Sequence, residues 1–92
     1  MDWRYTGRPM VFNRTVITDA AIESAKQFYI NNAKACIKGA EAGEFHVNDL
    51  ESWIAWQNER IAEMSRPDFP MSVAFMQRAY YEQTGESVAL LP

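Results

Sequence analysis

The residues able to do covalent or metal chemistry are few. The chain has one cysteine, Cys36, and one histidine, His46, ten positions apart. A thiol beside an imidazole is the minimum for cysteine nucleophilic catalysis. Activation needs an electropositive, partly exposed setting. Cys36 instead falls on the apolar face of a predicted helix, where a thiol packs as a small inert hydrophobe. His46 has Glu44 and Asp49 for neighbours in a predicted loop, which is not the spaced set of His, Cys or carboxylate ligands that a metal needs. "AEAGE" has a glycine and small residues but lacks the Lys-Ser/Thr of a phosphate loop. The carboxylates near the second predicted helix have no base partner. The sequence therefore predicts no catalytic residue, no metal ligand and no cofactor: a protein that is not an enzyme.

What the chain has in quantity is recognition chemistry. Aromatic residues make up 13% of its 92 residues. A domain this small has a thin core and cannot easily hide that many rings. Trp and Tyr are favoured at binding interfaces, so some are expected at the surface. The net charge of −3 argues against a general nucleic-acid binder, which needs a clustered basic surface, and against a polybasic membrane-surface protein. No apolar stretch approaches the ~18 residues of a membrane span. One cysteine allows no internal disulfide. No N-terminal segment has the basic start and apolar run of a signal peptide. The expected compartment is a reducing cytoplasm, that of the host if the protein is viral.

The elements that must position these residues read as one mainly α domain over residues 1–92. It is a three-helix small domain with an extended N-terminal arm (1–17) and a short apolar C-terminal tail (85–92). The helices are expected at about 19–39, 49–64 and 70–84. In the arm, Gly7-Arg8-Pro9 is a turn signal, and "MVF" and "TVI" suit extended backbone. Thr18 is a good N-cap for the first helix. That helix carries Ile22, Ala25, Tyr29, Ala33, Cys36, Ile37 and Ala40 at helical spacing, with Gly39 and Gly43 as places to stop and turn. Asn48 and Glu51 form a capping-box-like start to the second helix. Its apolar face is Leu50, Trp53, Ile54, Ile61 and Met64, interrupted by Gln57. Pro67 must follow its end, and Pro70 suits the first position of the third helix. Gly85 is the expected stop. The third helix is apolar around much of its circumference, so it is either central or shared with a partner. Val88, Leu90 or Leu91 of the tail should dock on the body or on a partner.

These elements place the candidate recognition residues. Trp53, Trp56, Pro67, Phe69, Pro70, Phe75 and Tyr81 are the expected partner-binding set, with Trp56 the better exposed of the two helical tryptophans. Six carboxylates and one basic residue, Arg60, lie between Glu41 and Glu63. They serve the helix dipole and solubility, or form an acidic patch beside the tryptophans for a basic protein surface. Arg4, Arg8 and Arg14 make the arm the basic part of the molecule. They face water while the rings of the arm pack, or they contact nucleic acid. The "SRPDFP" turn is a rigid trans connection, or one in which Arg66–Pro67 or Phe69–Pro70 populates cis and a prolyl isomerase acts.

The runs "FYINNAKACIKGAEAGEFHVNDLESWIAWQNERI" and "FMQRAYYEQTGESVALLP" resemble small accessory proteins from the early regions of lambda-like phages, among them the anti-RecBCD family. The resemblance carries no functional residue across. It implies a protein that binds the RecC subunit of the host RecBCD nuclease rather than DNA, protecting phage DNA and redirecting recombination. Sequence-specific DNA binding is not expected. The alternative is a small homodimeric DNA-associated regulator.

Overall fold

Thr18 is extended and its hydroxyl accepts from the Ala21 N–H, so the first helix starts where the sequence predicts. The computed structural model describes residues 3–5 and 10–88. In chain order the elements are β1 (Trp3–Arg4), β2 (Met10–Phe12), β3 (Thr15–Ile17), α1 (Asp19–Glu41), α2 (Leu50–Met64), β4 (Pro70–Met71) and α3 (Val73–Thr84). The protein is mainly helical, with three helices and a short N-terminal hairpin.

Helix α1 does not stop at Gly39. It ends two residues later in a Schellman closure: Gly43 sits at φ +78°, its N–H donates to Ala40 O (3.1 Å), and Glu44 N–H donates to Gly39 O (2.9 Å). Gly39 is buried inside the helix for a different reason. A Cβ there would meet Glu44 Oε2 at 2.8 Å and the Phe45 ring at 3.0 Å. The bare backbone lets the returning loop lie against the helix.

Asp49, rather than Asn48, caps α2, its carboxylate accepting from the Ser52 N–H at 3.2 Å. Asn48 Oδ1 lies instead 2.9 Å from His46 Nε2. After α2, Arg66 holds Asp68 through two contacts of 3.1 and 3.2 Å. The bonds preceding Pro67 and Pro70 are both trans.

Helix α3 starts later than Pro70, with Ser72 accepting from the Phe75 N–H. The cause is long-range. Pro70 and Met71 are held as extended backbone against Arg4 and Trp3. Tyr5 N–H donates to Phe69 O (2.9 Å) and the Arg4 guanidinium to Asp68 O (3.0 Å). The arm thus clamps the turn. At the other end of α3, Gly85 is left-handed (φ +75°) and its N–H donates to Tyr81 O.

Strands β2 and β3 form an antiparallel hairpin with Val11 opposite Val16. Asn13 and Arg14, both at positive φ, make its two-residue turn. Val11 and Val16 face outward, while Met10, Phe12 and Ile17 pack inward. The Gln83 side chain stitches the hairpin to α3. Its Oε1 accepts from Thr18 N–H (2.8 Å) and its Nε2 donates to Val16 O (3.0 Å). The apolar circumference of α3 is explained by its two neighbours, α1 on one side and the hairpin on the other.

The core joins Ile17, Ala21, Ile22 and Ala25 to Phe69, Met71, Phe75, Met76, Ala79 and Tyr80. Phe69 and Phe75 are 2% and 4% exposed. Phe69 is therefore a core ring covered by the arm, not the partner contact expected of it, while Phe75 joins the core stacked on Tyr29 of α1 and also lines a cavity there. Val88 packs against this core and its carbonyl accepts from Gln77. Leu90 and Leu91 lie outside the described residues, as does Arg8.

Helices α2 and α3 each pack on α1 rather than on each other. Helix α1 is about 34 Å long at 1.5 Å per residue, and α3 about half that. The hairpin and α3 cover the first half of α1, while α2 runs back along the second half. Helix α2 buries only Gln57 and Met64. Gln57, expected to break the apolar stripe, is thus buried more deeply than Leu50, Trp53, Ile54 or Ile61. Cys36, expected among packed apolar residues, is exposed: α3 ends before reaching its level. Among the described residues, no helix is long and apolar enough to cross a membrane.

Candidate functional site

Because α2 and α3 each pack mainly on α1, a groove opens between them with α1 as its floor. At its base is a cavity of about 290 Å³, lined by Tyr29 of α1, by Arg60, Glu63 and Met64 of α2, and by Pro70, Met71, Ser72, Ala74 and Phe75 around the start of α3. Tyr29 is fixed there by a hydrogen bond from its hydroxyl to Ala74 O (3.2 Å) and by stacking on Phe75 (5.7 Å between centroids).

Helical spacing extends this site away from α3. Seven residues is nearly two turns, so positions seven apart share a face. Cys36 follows Tyr29 by seven on α1. Trp53 and Trp56 precede Arg60 by seven and four on α2. By this spacing the faces that border the cavity run on beyond the first turn of α3, with the exposed small residues Asn32 and Cys36 on α1 and the aromatic pair Trp53 and Trp56 on α2. Phe45 closes the far end, edge-on to Trp53 with 5.9 Å between centroids, where its ring passes over Gly39.

Trp56 is 50% exposed. The Arg60 guanidinium lies over its ring at 4.9 Å and also reaches Gln57 Oε1 at 3.5 Å. The one basic residue of this region thus stacks on an indole rather than neutralising a carboxylate. Glu63 pairs with Arg4 at 3.5 Å. Among the described residues, Glu41, Glu44, Asp49, Glu51 and Glu59 have no cation within ion-pair distance. This end of the molecule is apolar in the groove and negative around it.

The expected partner-binding residues are split by the fold. Trp53, Trp56 and Pro70 border the groove. Pro67 is exposed in the clamped turn, Phe69 is buried in the core, and Phe75, also largely buried, lines the base of the groove. Tyr81 is 41% exposed elsewhere, in a cluster where Arg78 lies 3.7 Å from the Phe28 centroid and 4.9 Å from its own. Of the arm's arginines among the described residues, Arg4 is engaged with Asp68 and Glu63, and Arg14 sits in the hairpin turn. Tyr29 and Arg60 belong to the site and were not singled out by the sequence. The signal for Arg60 was present in the Trp53, Trp56, Arg60 spacing of three and four. That for Tyr29 was hidden, because it depends on where α3 begins.

The groove offers shape, aromatic surface and charge. Cys36 stands on its wall and His46 in the loop beyond α1. Among the described residues, no three His, Cys, Asp or Glu side chains converge as metal ligands. Comparison with known proteins finds no family model that matches the chain, and no curated protein or solved structure similar to it.

Proposed function

We propose that the chain is a non-catalytic protein-binding modulator that docks another protein through the groove between α1 and α2. One observation carries the reading. Helix α2 buries two side chains, Gln57 and Met64, yet presents a half-exposed tryptophan braced by Arg60. A helix held on one side with a rigid aromatic on the other is the usual form of an interface anchor. The engagement of Arg4 within the molecule favours a protein partner over DNA for this surface.

The partner to test first is the one implied by the family resemblance, the host RecBCD nuclease through its RecC subunit, with inhibition or redirection of its activity as the outcome. Purified protein is titrated against RecBCD, with binding and degradation of linear DNA measured together. Trp56→Ala is expected to weaken binding by tenfold or more, about 1.4 kcal/mol or above, while leaving the helical content unchanged. Full binding by the Trp56→Ala protein would remove the groove from the function. No binding to RecBCD by either protein would remove that partner and return the search to other complexes.

A further inference from the structure

We infer that the occupant of the α1–α2 groove is a basic amphipathic helix of about three turns from another protein, apolar on one face and flanked by Lys or Arg. This inference rests on the groove being a protein-docking site. Three features specify the occupant.

The first is shape. Helix α3 packs on the face of α1 that carries Ile22, Ala25 and Tyr29, and it begins only at Ser72, level with Tyr29. Among the described residues the same face runs on with Asn32 and Cys36 exposed, from Tyr29 to the level of Gly39. That is ten residues, or about 15 Å of helix axis. A helix laid there would continue the layer that α3 begins.

The second is the unequal pair of walls. Asn32 and Cys36 are small and exposed on one side, and Trp56 stands on the other. An inserted helix would bury its apolar ridge over the small wall and take the indole on its flank. Anchors at i, i+3 or i+4 and i+7 are the pattern by which such helices are read.

The third is charge. Six carboxylates and one base lie between residues 41 and 63. Among the described residues only Glu63 of these is ion-paired, and Arg60 is withdrawn onto Trp56. Glu44 lies at the closed end beside Gly39, and Glu59 follows Trp56 by three residues on the aromatic wall. Flanking cations on the occupant would meet these free carboxylates. Flanking anions would meet repulsion at both ends.

The test uses the full chain and two synthetic twelve-residue helical peptides of identical apolar face, one flanked by Lys and the other by Glu, both without Trp or Cys. The single thiol provides a local footprint, because Cys36 lies on the groove wall. The rate at which a thiol reagent modifies Cys36 should fall at least fivefold under saturating Lys peptide, with a blue shift of tryptophan emission that Trp56→Ala reduces. The Lys peptide should bind at least tenfold tighter than its Glu twin. The preference should shrink in high salt and in the E44Q/E59Q variant, whose exposed positions leave the fold intact. An unchanged Cys36 rate at saturation overturns the inference, since the peptide is then bound elsewhere. Equal protection by the Glu twin also overturns it, but leaves a protein-docking groove standing. Self-association of the chain by light scattering, with Cys36 protected in the absence of peptide, would make a second copy the occupant and overturn it too. None of these outcomes decides the RecBCD titration, which is read separately through Trp56→Ala.

Discussion

Tyr5 ties the arm to the start of α1 by donating its hydroxyl to the Asp19 carboxylate. That bond, then burial, then the charges of Asp19 and Glu23 raise the phenol above its ordinary value near 10. The neutral phenol is the form the fold prefers, and a phenolate there would face two carboxylates. The stabilisation is therefore complete below the ordinary tyrosine value and is lost as pH rises through the raised one. Tyr5→Phe should cost about 1 kcal/mol at pH 7, the lower end for a charge-assisted bond because the pair is exposed. The gap between wild type and Tyr5→Phe, read from urea midpoints between pH 7 and 11.5, should stay level to about pH 9.5 and then close. A gap that persists unchanged to pH 11.5 would show that the bond is not linked to ionisation. Single residues are also where the sequence was least legible. The periodicity of α1 placed Cys36 correctly on the face shared with Tyr29, but that face is covered only as far as α3 extends. Exposure of Cys36 and burial of Phe69 both follow from contacts remote in sequence, which no local pattern encodes.

At the scale of elements, the three helices were legible because each has a local start signal, an apolar period and a stop. Their ends were displaced where two local signals competed or where tertiary pairing took precedence. Asn48 and Asp49 are both good caps; Asp49 receives the Ser52 N–H while Asn48 turns toward His46. Pro70 is suited to open a helix, but pairing with Arg4 keeps it extended and passes the cap to Ser72. Strand β1 and its partner β4 are two residues each and carry no period to detect. The candidate site was half legible for the same reason: its α2 wall follows from spacing within one helix, and its floor and base follow from where α3 begins. The two caps make a direct comparison. Asp49→Ala should destabilise by about 1 kcal/mol and fray the first turn of α2, as expected for loss of an N-cap. Asn48→Ala should cost only a few tenths, in keeping with an exposed surface position. Denaturation monitored by far-UV circular dichroism separates them, and a larger loss from Asn48→Ala would reverse the assignment.

The whole molecule is longer than its size requires. Its radius of gyration is 14.8 Å and its extents are 42 × 25 × 24 Å, against about 12 Å for an ordinary globular chain of this length. The excess comes from α1, which carries two unequal ends. Around its first half, the hairpin, the clamped turn and α3 enclose the buried cluster that contains Phe69, Met71, Met76 and Ala79. Around its second half, among the described residues, lie α2, whose burial is confined to Gln57 and Met64, and the short loop whose Phe45 ring covers Gly39. Local opening is easiest where few apolar contacts cross from one element to another. Amide hydrogen exchange should therefore divide the molecule. Amides of α3 and of α1 up to Tyr29 should exchange only through global unfolding, with protection equal to the full stability. Amides of α2 and of α1 beyond Ala33 should exchange through a lower-energy opening that releases the α1–α2 end and exposes Trp53. A partner seated in the groove adds its binding energy to the second group alone. On saturation their protection should rise toward that of the first, with little change at α3. Uniform protection in the free chain would mean that α2 is held as firmly as the core. The groove would then be a rigid, finished surface rather than the end of a fold completed by what it binds.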